Sequence, residues 1–381
     1  MSMVYVAGAA MIPMGKYPWA SYSDLGIAPM RTLLSQVDIA IGDIDAVYCG
    51  HSFGGMLTGQ RIVKNFGLGG VPVVNVENAC SGGATAVHMA QSDVAVGRHE
   101  CVLVLGVEKL TQFGGGALPL VADDPEVQQG MVMPALYAMR ARRFMHERNA
   151  TPEDLAAISV KARRHAQHNP VAQLRKRVTI EEVLASRPIA DPLTLFQCCP
   201  TGDGAAAILV VSERMRKKLG GFAMRIAASV LHSGQVLAGY RNMLTPKIST
   251  KSAEDAYKQA GVGPADLDCV ELHDAFSIAE LIYYEALGLC AEGEALSYLH
   301  SGASTYGGRT VVNPSGGLLA KGHPVGASGV AQVVEAFLQL GGAAGERQIE
   351  NAKIAMTHVT GGGIAGLDHG SCCIHIFEAG H

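Results

Sequence analysis

Cys80 stands in the run Asn78-Ala79-Cys80-Ser81-Gly82-Gly83, between a strand-like apolar stretch (71–76) and a helical one (84–96). A thiol on a tight strand-to-helix turn lies near the positive end of a helix dipole. It has reason to titrate below its free value and to act as a nucleophile. A packed structural cysteine fits the same local residues equally well, so the partners of Cys80 must decide. His273 lies in Glu271-Leu272-His273-Asp274-Ala275-Phe276-Ser277, directly after an expected strand. The neighbouring Asp274 can orient a catalytic imidazole, although a histidine so placed is more often a hydrogen-bonded structural residue.

His323 lies in Asn313-Pro314-Ser315-Gly316-Gly317-Leu318-Leu319-Ala320-Lys321-Gly322-His323-Pro324-Val325-Gly326-Ala327-Ser328-Gly329. The glycines of this run exceed what ordinary packing asks and point to backbone approaching a ligand, with His323 near the start of the next helix. A last loop, His358-Val359-Thr360-Gly361-Gly362-Gly363, offers backbone N–H groups suited to a developing oxyanion; a plain flexible turn has the same composition.

These loops need elements to hold them. Short apolar strands are expected at 4–9, 46–50, 73–76, 101–106 and 205–211, alternating with helices at 30–41, 59–66 and 84–96, an α/β layering. The second half repeats this order. The stretch 226–231 opens like 4–9, a helix at 253–260 with an Asp-containing turn and strand echoes 31–47, 352–357 parallels 101–106, and 371–377 parallels 205–211. The chain therefore reads as two similar α/β halves. In that repeat the helix after His323 corresponds to the one after Cys80. A pseudo-twofold would bring the two helix starts face to face, joining thiol and imidazole in one site.

Residues 109–190 break the repeat and read as an insertion, with helices at 135–148 and 151–168. The insertion is rich in Arg140, Arg142, Arg143, Arg163, Arg164, Arg175, Lys176 and Arg177. Scattered charges of this kind usually form solvated helix faces; the functional reading is attraction of an anionic ligand such as a nucleotide phosphate. The domain division is thus 1–108 with 191–225, the insertion 109–190, and 226–381.

Composition bounds the class. With 381 residues, 48% hydrophobic content and 46 glycines, the chain can bury layered cores with many tight turns. A net charge of −4 argues against nucleic acid as the main partner. Nine cysteines, an odd number without zinc-ligand CxxC spacing, read as a reduced intracellular protein with no metal site. No apolar stretch approaches the roughly 20 residues that span a bilayer, and neither end carries a signal or lipidation pattern. A cytoplasmic location is expected.

Taken together, these segments resemble the thiolase family, in its sterol carrier protein type. The resemblance also rests on Gln197-Cys198-Cys199-Pro200-Thr201-Gly202-Asp203-Gly204-Ala205-Ala206-Ala207, Tyr284-Glu285-Ala286-Leu287-Gly288-Leu289-Cys290 and Thr305-Tyr306-Gly307-Gly308. It implies two βαβαβαββ halves in a five-layer αβαβα sandwich with an inserted loop domain that binds coenzyme A. It implies acetyl-CoA C-acyltransferase chemistry on acyl-CoA substrates, as in lipid metabolism, without a bound cofactor. By resemblance Cys80 accepts the acyl group, His323 activates it, His273 and His323 hold the thioester oxygen, and the N–H groups of Cys80 and Gly361 form a second oxyanion hole. Phe276, Ser315, Gly317, Arg163 and Arg164 are the implied substrate-binding residues. A homodimer or tetramer is implied, with an OB-fold/zinc-ribbon protein as a further possible partner.

The sequence departs from the family at one point. The second catalytic cysteine, expected at the position of Val359 or of Ala275, is absent from both, and the tail 365–370 is slightly longer than usual. Three readings follow. In the first, His273 takes over the base role in a thiolase that cleaves or joins 3-ketoacyl-CoA. In the second, the chain performs only acyl transfer or a retro-aldol cleavage in complex with the partner. The third is a non-catalytic acyl-CoA-binding relative, against which the joint presence of Cys80, His273 and His323 argues.

Overall fold

A computed structural model describes residues 2–235, 242–363 and 369–380. The strands of the first half are β1 (Val4–Met11), β2 (Ala46–Gly50), β3 (Val73–Val76), β4 (Cys101–Lys109) and β5 (Asp203–Ser212). Those of the second are β6 (Met224–Ser233), β7 (Cys269–Glu271), β8 (Val311–Val312), β9 (Ile354–Gly363) and β10 (His369–Ala379). Their spatial order is β8-β7-β9-β10-β6-β1-β5-β4-β2-β3. Read outward from the centre, each half runs first, fifth, fourth, second, third strand, so the repeat seen in the sequence is a repeat of topology. The halves meet where β1 and β6 pair antiparallel over Tyr5↔Arg225 and Val6↔Met224.

Helices complete five layers. Helices α1 (Tyr22–Val37) and α2 (Thr58–Phe66) cover the outside of the first sheet, and α3 (Gly82–Ala95) packs on its inner face. In the insertion, α4 (Met133–Arg148) and α5 (Pro152–Ala166) lie on the second half, whose outer face carries α6 (Lys247–Ala260) and α7 (Ser277–Ala286). Helix α8 (Val325–Leu340) joins α3 in the central layer and touches strands of both halves. It is buried almost all round, as a helix between two sheets must be. The strands are near-continuous Val, Leu, Ile and Ala runs because both faces are covered. Each buried Val, Leu or Ile in these layers contributes about 1.5–3 kcal/mol of hydrophobic stabilisation.

Several elements differ from expectation; the helix expected at 253–260 begins at Lys247, and the strand expected at 352–357 runs Ile354–Gly363. The helix expected at 30–41 runs Tyr22–Val37, with Pro29 inside it. Ser21 caps it in a reciprocal capping box with Asp24, and Leu25, Met30 and Leu33 bury one face. Cap and burial together outweigh the missing proline N–H. The counterpart of β3 is the two-residue β8, which pairs parallel with Cys269 and Val270. Of the tail 365–370, residues 365–368 lie outside the described residues.

The insertion is fastened to the His323 loop of the second half. Helix α5 starts at a Thr151–Asp154 capping box with Pro152 in its first turn. From it, Lys161 Nζ donates to Val312 O at 2.8 Å and pairs with Glu280 at 2.8 Å. Just beyond its end, Asn169 Nδ2 donates to Ser315 O at 2.8 Å, and the N–H groups of Gln173 and Leu174 reach Lys321 O and Ala320 O. The loop that carries His323 is thereby clamped from above.

Candidate active site

Cys80 and His323 reach the site from equivalent positions in the two halves, at the starts of α3 and α8. Backbone closeness is the reason for the glycines. A Cβ on Gly83 would lie 2.5 Å from Gly326 O, and one on Gly329 would lie 2.4 Å from Ala84 N. Larger residues would drive the helix starts apart and separate the two side chains. Before Cys80, Ala79 holds φ +48°, a left-handed conformation that turns the chain sharply from β3 into α3.

The thiol and imidazole meet: Cys80 Sγ is 3.3 Å from His323 Nε2. Ser328 Oγ lies 2.7 Å from His323 Nδ1 and 3.1 Å from Pro324 O. Because the hydroxyl donates to that carbonyl, it accepts from Nδ1–H. This leaves Nε2 as the lone-pair nitrogen facing the thiol. Ser328 is a residue of this cluster that the sequence reading quoted but did not assign; its spacing of five from His323, one helical turn into α8, is the signal.

His273 completes the cluster. Its ring stands edge-on to that of His323, with centroids 5.1 Å apart, and ligand atoms of Cys80, His273 and His323 lie within 4.8 Å of one another. His273 is 3% exposed, and its Nδ1 has no hydrogen-bond partner among the described residues. Asp274 does not orient it. The Asp274 carboxylate accepts from Leu318 N at 2.7 Å and caps the helical turn Gly317–Ala320. A Cβ on Gly317 would sit 2.1 Å from that carboxylate.

The electrostatics overturn one expectation. Cys80 does not titrate low: burial pushes its thiol up to about 12, against weaker lowering by the backbone N–H groups of Gly362 and Cys80. Burial and the nearby Lys321 charge hold His323 down to about 4. The resting pair is therefore neutral thiol and neutral imidazole, and the proton moves only as the thiol attacks. Burial, then the charges His323, His369 and His358 would carry, hold His273 well below its usual range. At neutral pH it is an uncharged imidazole, able to donate one hydrogen bond but a weak base.

The remaining expected residues fall as follows. Gly361 lies against Asn78, Ser81 and Ser371, and a Cβ there would come 2.1 Å from Asn78 O. The backbone N–H that meets the Cys80 sulfur from this strand is that of Gly362. Phe276 stacks on Tyr137, centroids 4.4 Å apart. Ser315 is tied inward, its N–H and hydroxyl donating to Glu271 at 2.9 and 2.7 Å. Arg163 is buried, its guanidinium donating to Lys176 O at 3.2 Å over the Phe196 ring, and Arg164 donates to Thr305 Oγ1. Neither bonds a member of the Cys80 cluster. Val359 packs with Ala84, Cys373 and Cys80 as a wholly apolar wall.

Glu108, at the end of β4, went unread in the sequence. Its buried carboxylate accepts from Ser52 N, Phe53 N and Gly326 N at 2.8, 3.1 and 3.1 Å, and from Tyr22 Oη at 2.7 Å. It thus pins the start of α8, and with it His323, to the first half.

Comparison with known proteins agrees with this architecture. A model described as the thiolase N-terminal domain matches residues 4–214, and one described as thiolase C-terminal domain-like matches 230–369. The benzoylsuccinyl-CoA thiolase subunit BbsB of Thauera aromatica is 44% identical over 94% of this chain and 95% of its own length. An acetyl-CoA acetyltransferase of Methanothermobacter thermautotrophicus is 37% identical over 98% and 99% of the two chains. Among solved structures, one described as the Ltp2-ChsH2(DUF35) aldolase superposes with a TM-score of 0.85 at 26% identity, covering 99% of this chain and 98% of that one. With two matched halves, full-length relatives and a shared architecture, the chain belongs to the thiolase family of acyltransferases.

Proposed function

We propose that the protein cleaves 3-ketoacyl-CoA by thiolysis, or runs the reverse condensation, through an acyl-Cys80 intermediate. The observation that carries this reading is the 3.3 Å Cys80–His323 contact with His273 in the same 4.8 Å cluster. His323 Nε2 takes the thiol proton as sulfur attacks the 3-keto carbon. The alkoxide forms in reach of the Cys80 and Gly361 or Gly362 N–H groups. Its collapse breaks the C–C bond and leaves the acyl group on Cys80. The departing enolate oxygen is held by the neutral His273 imidazole and by His323, now protonated. Coenzyme A then attacks the acyl-Cys80 thioester, and His323 returns its proton to the leaving thiolate.

Exposed Arg164, Arg175, Lys176 and Arg177 surround one loop of the insertion. Gln167 gathers two of them through Arg175 and Arg177. This cluster supports the insertion as the binding site for the coenzyme A phosphates. A homodimer is supported by β3, the outermost strand of its side, with the exposed Met56 and Leu57 just before α2 beside it. The second reading, action with a separate OB-fold/zinc-ribbon protein, is favoured by the relative named as a subunit and by the two-component aldolase.

The test is to incubate the protein with acetyl-CoA, acetoacetyl-CoA and benzoylsuccinyl-CoA and to measure intact and peptide masses. An acyl adduct on the Cys80 peptide and thioester products are expected. No adduct with any of the three overturns the reading. An adduct without C–C cleavage until a second protein is added would select the partner-dependent form.

A further inference from the structure

The enolate released at C–C cleavage needs a proton, and its carrier is missing from both positions where the family pattern places a thiol. Ala275 and Val359 offer only methyl groups. Another cysteine stands against Ala275 through its backbone. The loop leading into β5 runs antiparallel to the His273 loop: Cys198 bridges Phe276, and Cys199 N–H donates to Ala275 O at 2.9 Å.

Side-chain direction follows from the backbone. Cys198 is extended, φ −115° and ψ 142°, and its Sγ donates to Thr194 O at 3.4 Å. Successive side chains on extended backbone point to opposite sides, so the Cys199 thiol faces away from Thr194. Electrostatics agree. Beyond burial and Cys198, the groups that hold the Cys199 thiol up are Cys80 and Asp274, and Tyr137 in turn feels both Cys80 and Cys199. Taken as whole residues, Cys80 and Cys199 are half-buried, whereas His273, Ala275, Phe276 and His323 are buried. The buried His273 Nδ1 has no hydrogen-bond partner among the described residues, in the cluster that Cys80 and His323 share.

We propose that Cys199 is the second catalytic thiol of this site, placed on the loop that faces Ala275. The proposal rests on the acyl-Cys80 reading above. When the C2–C3 bond breaks, its electron pair passes to the enolate, and C2 takes the proton of Cys199 S–H, leaving a thiolate. Incoming coenzyme A gives its S–H proton to that thiolate as its sulfur attacks acyl-Cys80. Cys80 leaves as thiolate and takes back the proton held by His323. Both thiols and the imidazole are restored, with no other reactant required. In the condensing direction the Cys199 thiolate removes the C2 proton.

The experiment compares wild type with Cys199→Ala, Cys199→Ser and Cys198→Ala. Readouts are acylation of Cys80 by acetoacetyl-CoA or acetyl-CoA, exchange of the acetyl-CoA methyl protons with deuterated solvent, and acetoacetyl-CoA cleavage. Both Cys199 variants should acylate Cys80 from acetyl-CoA as wild type does, yet lose exchange and cleavage by about 100-fold or more, the usual worth of a positioned acid–base group. Cys198→Ala should keep all three. Exchange and cleavage within about twofold of wild type in either folded Cys199 variant overturns the proposal and leaves His323 or His273 as the carrier. Loss of acylation together with exchange in the near-isosteric Cys199→Ser also overturns it, as the mark of a structural role. A wild type acylated at Cys80 but inert in exchange overturns this assignment alone, whereas an unacylated wild type removes the proposed function as well.

Discussion

At the scale of the residue, the site is a neutral dyad whose charge separation is deferred until attack. With Cys80 held up to about 12 and His323 down to about 4, the thiolate–imidazolium pair is not the resting state. Alkylation of Cys80 by iodoacetamide should climb steadily from pH 6 to 10; a plateau below pH 7 would indicate a preformed ion pair. Cys80→Ala should abolish the acyl adduct and reduce turnover by at least ~1,000-fold, read by mass and by thioester formation. Ser328→Ala should leave the adduct chemistry possible but let the His323 tautomer drift. Turnover is then expected to fall ~10–100-fold with little change in KM. The turn around Cys80 was legible in the sequence, but its local residues fitted a packed cysteine equally well, and only the His323 loop and the family resemblance favoured the nucleophile. The high pKa of Cys80 was not legible, because desolvation depends on what the rest of the fold packs over the sulfur.

At the scale of the element, two helix starts decide whether thiol and imidazole meet. The Gly83–Gly326 and Gly329–Ala84 approaches leave no room for a Cβ. Gly329→Ala should therefore destabilise the fold by ~1–3 kcal/mol and reduce Cys80 acylation, checked by urea unfolding and by adduct yield. The buried strands β2, β4 and β5 were readable as apolar runs, since a strand covered on both faces has no polar alternation to confuse the reading. Helix α1 was misplaced because its start rests on a capping box that outweighs Pro29. Strand β8 was invisible: two residues carry no period, and only pairing with Cys269 and Val270 makes Val311–Val312 a strand.

At the scale of the whole molecule, burial of imidazoles sets the acid limit. His323 is held at about 4, and His358, His369 and His375 at about 3, each chiefly by burial. Their unfolded values lie near 6.5, so between these limits the unfolded chain binds more protons. Stability contributed above pH 6.5 is then lost as pH falls through the folded values. Asp274, raised to about 8 by burial, and Glu108, also raised by burial, work in the opposite sense, but they are outnumbered by these four imidazoles together with His51, His88, His165 and His273, which burial also lowers. Urea midpoints should thus fall progressively from pH 7 to pH 4; a flat or rising trend would contradict the balance. If β3 forms the proposed homodimer, Met56→Glu combined with Leu57→Glu should leave a monomer in light scattering where the wild type is a dimer, with the far-ultraviolet dichroism unchanged.

The sequence by itself determined the two-half repeat, the insertion and the four loops that carry Cys80, His273, His323 and the glycines. Each is written in local pattern: apolar runs, turn residues and motifs in order. Tertiary structure alone decided three further matters. Asp274 caps the Gly317–Ala320 turn instead of orienting His273. Glu108 ties α8 to the first half. The Cys198–Cys199 loop lies along Ala275. Such pairings join residues far apart in the chain, and only the packing of one half on the other chooses among them.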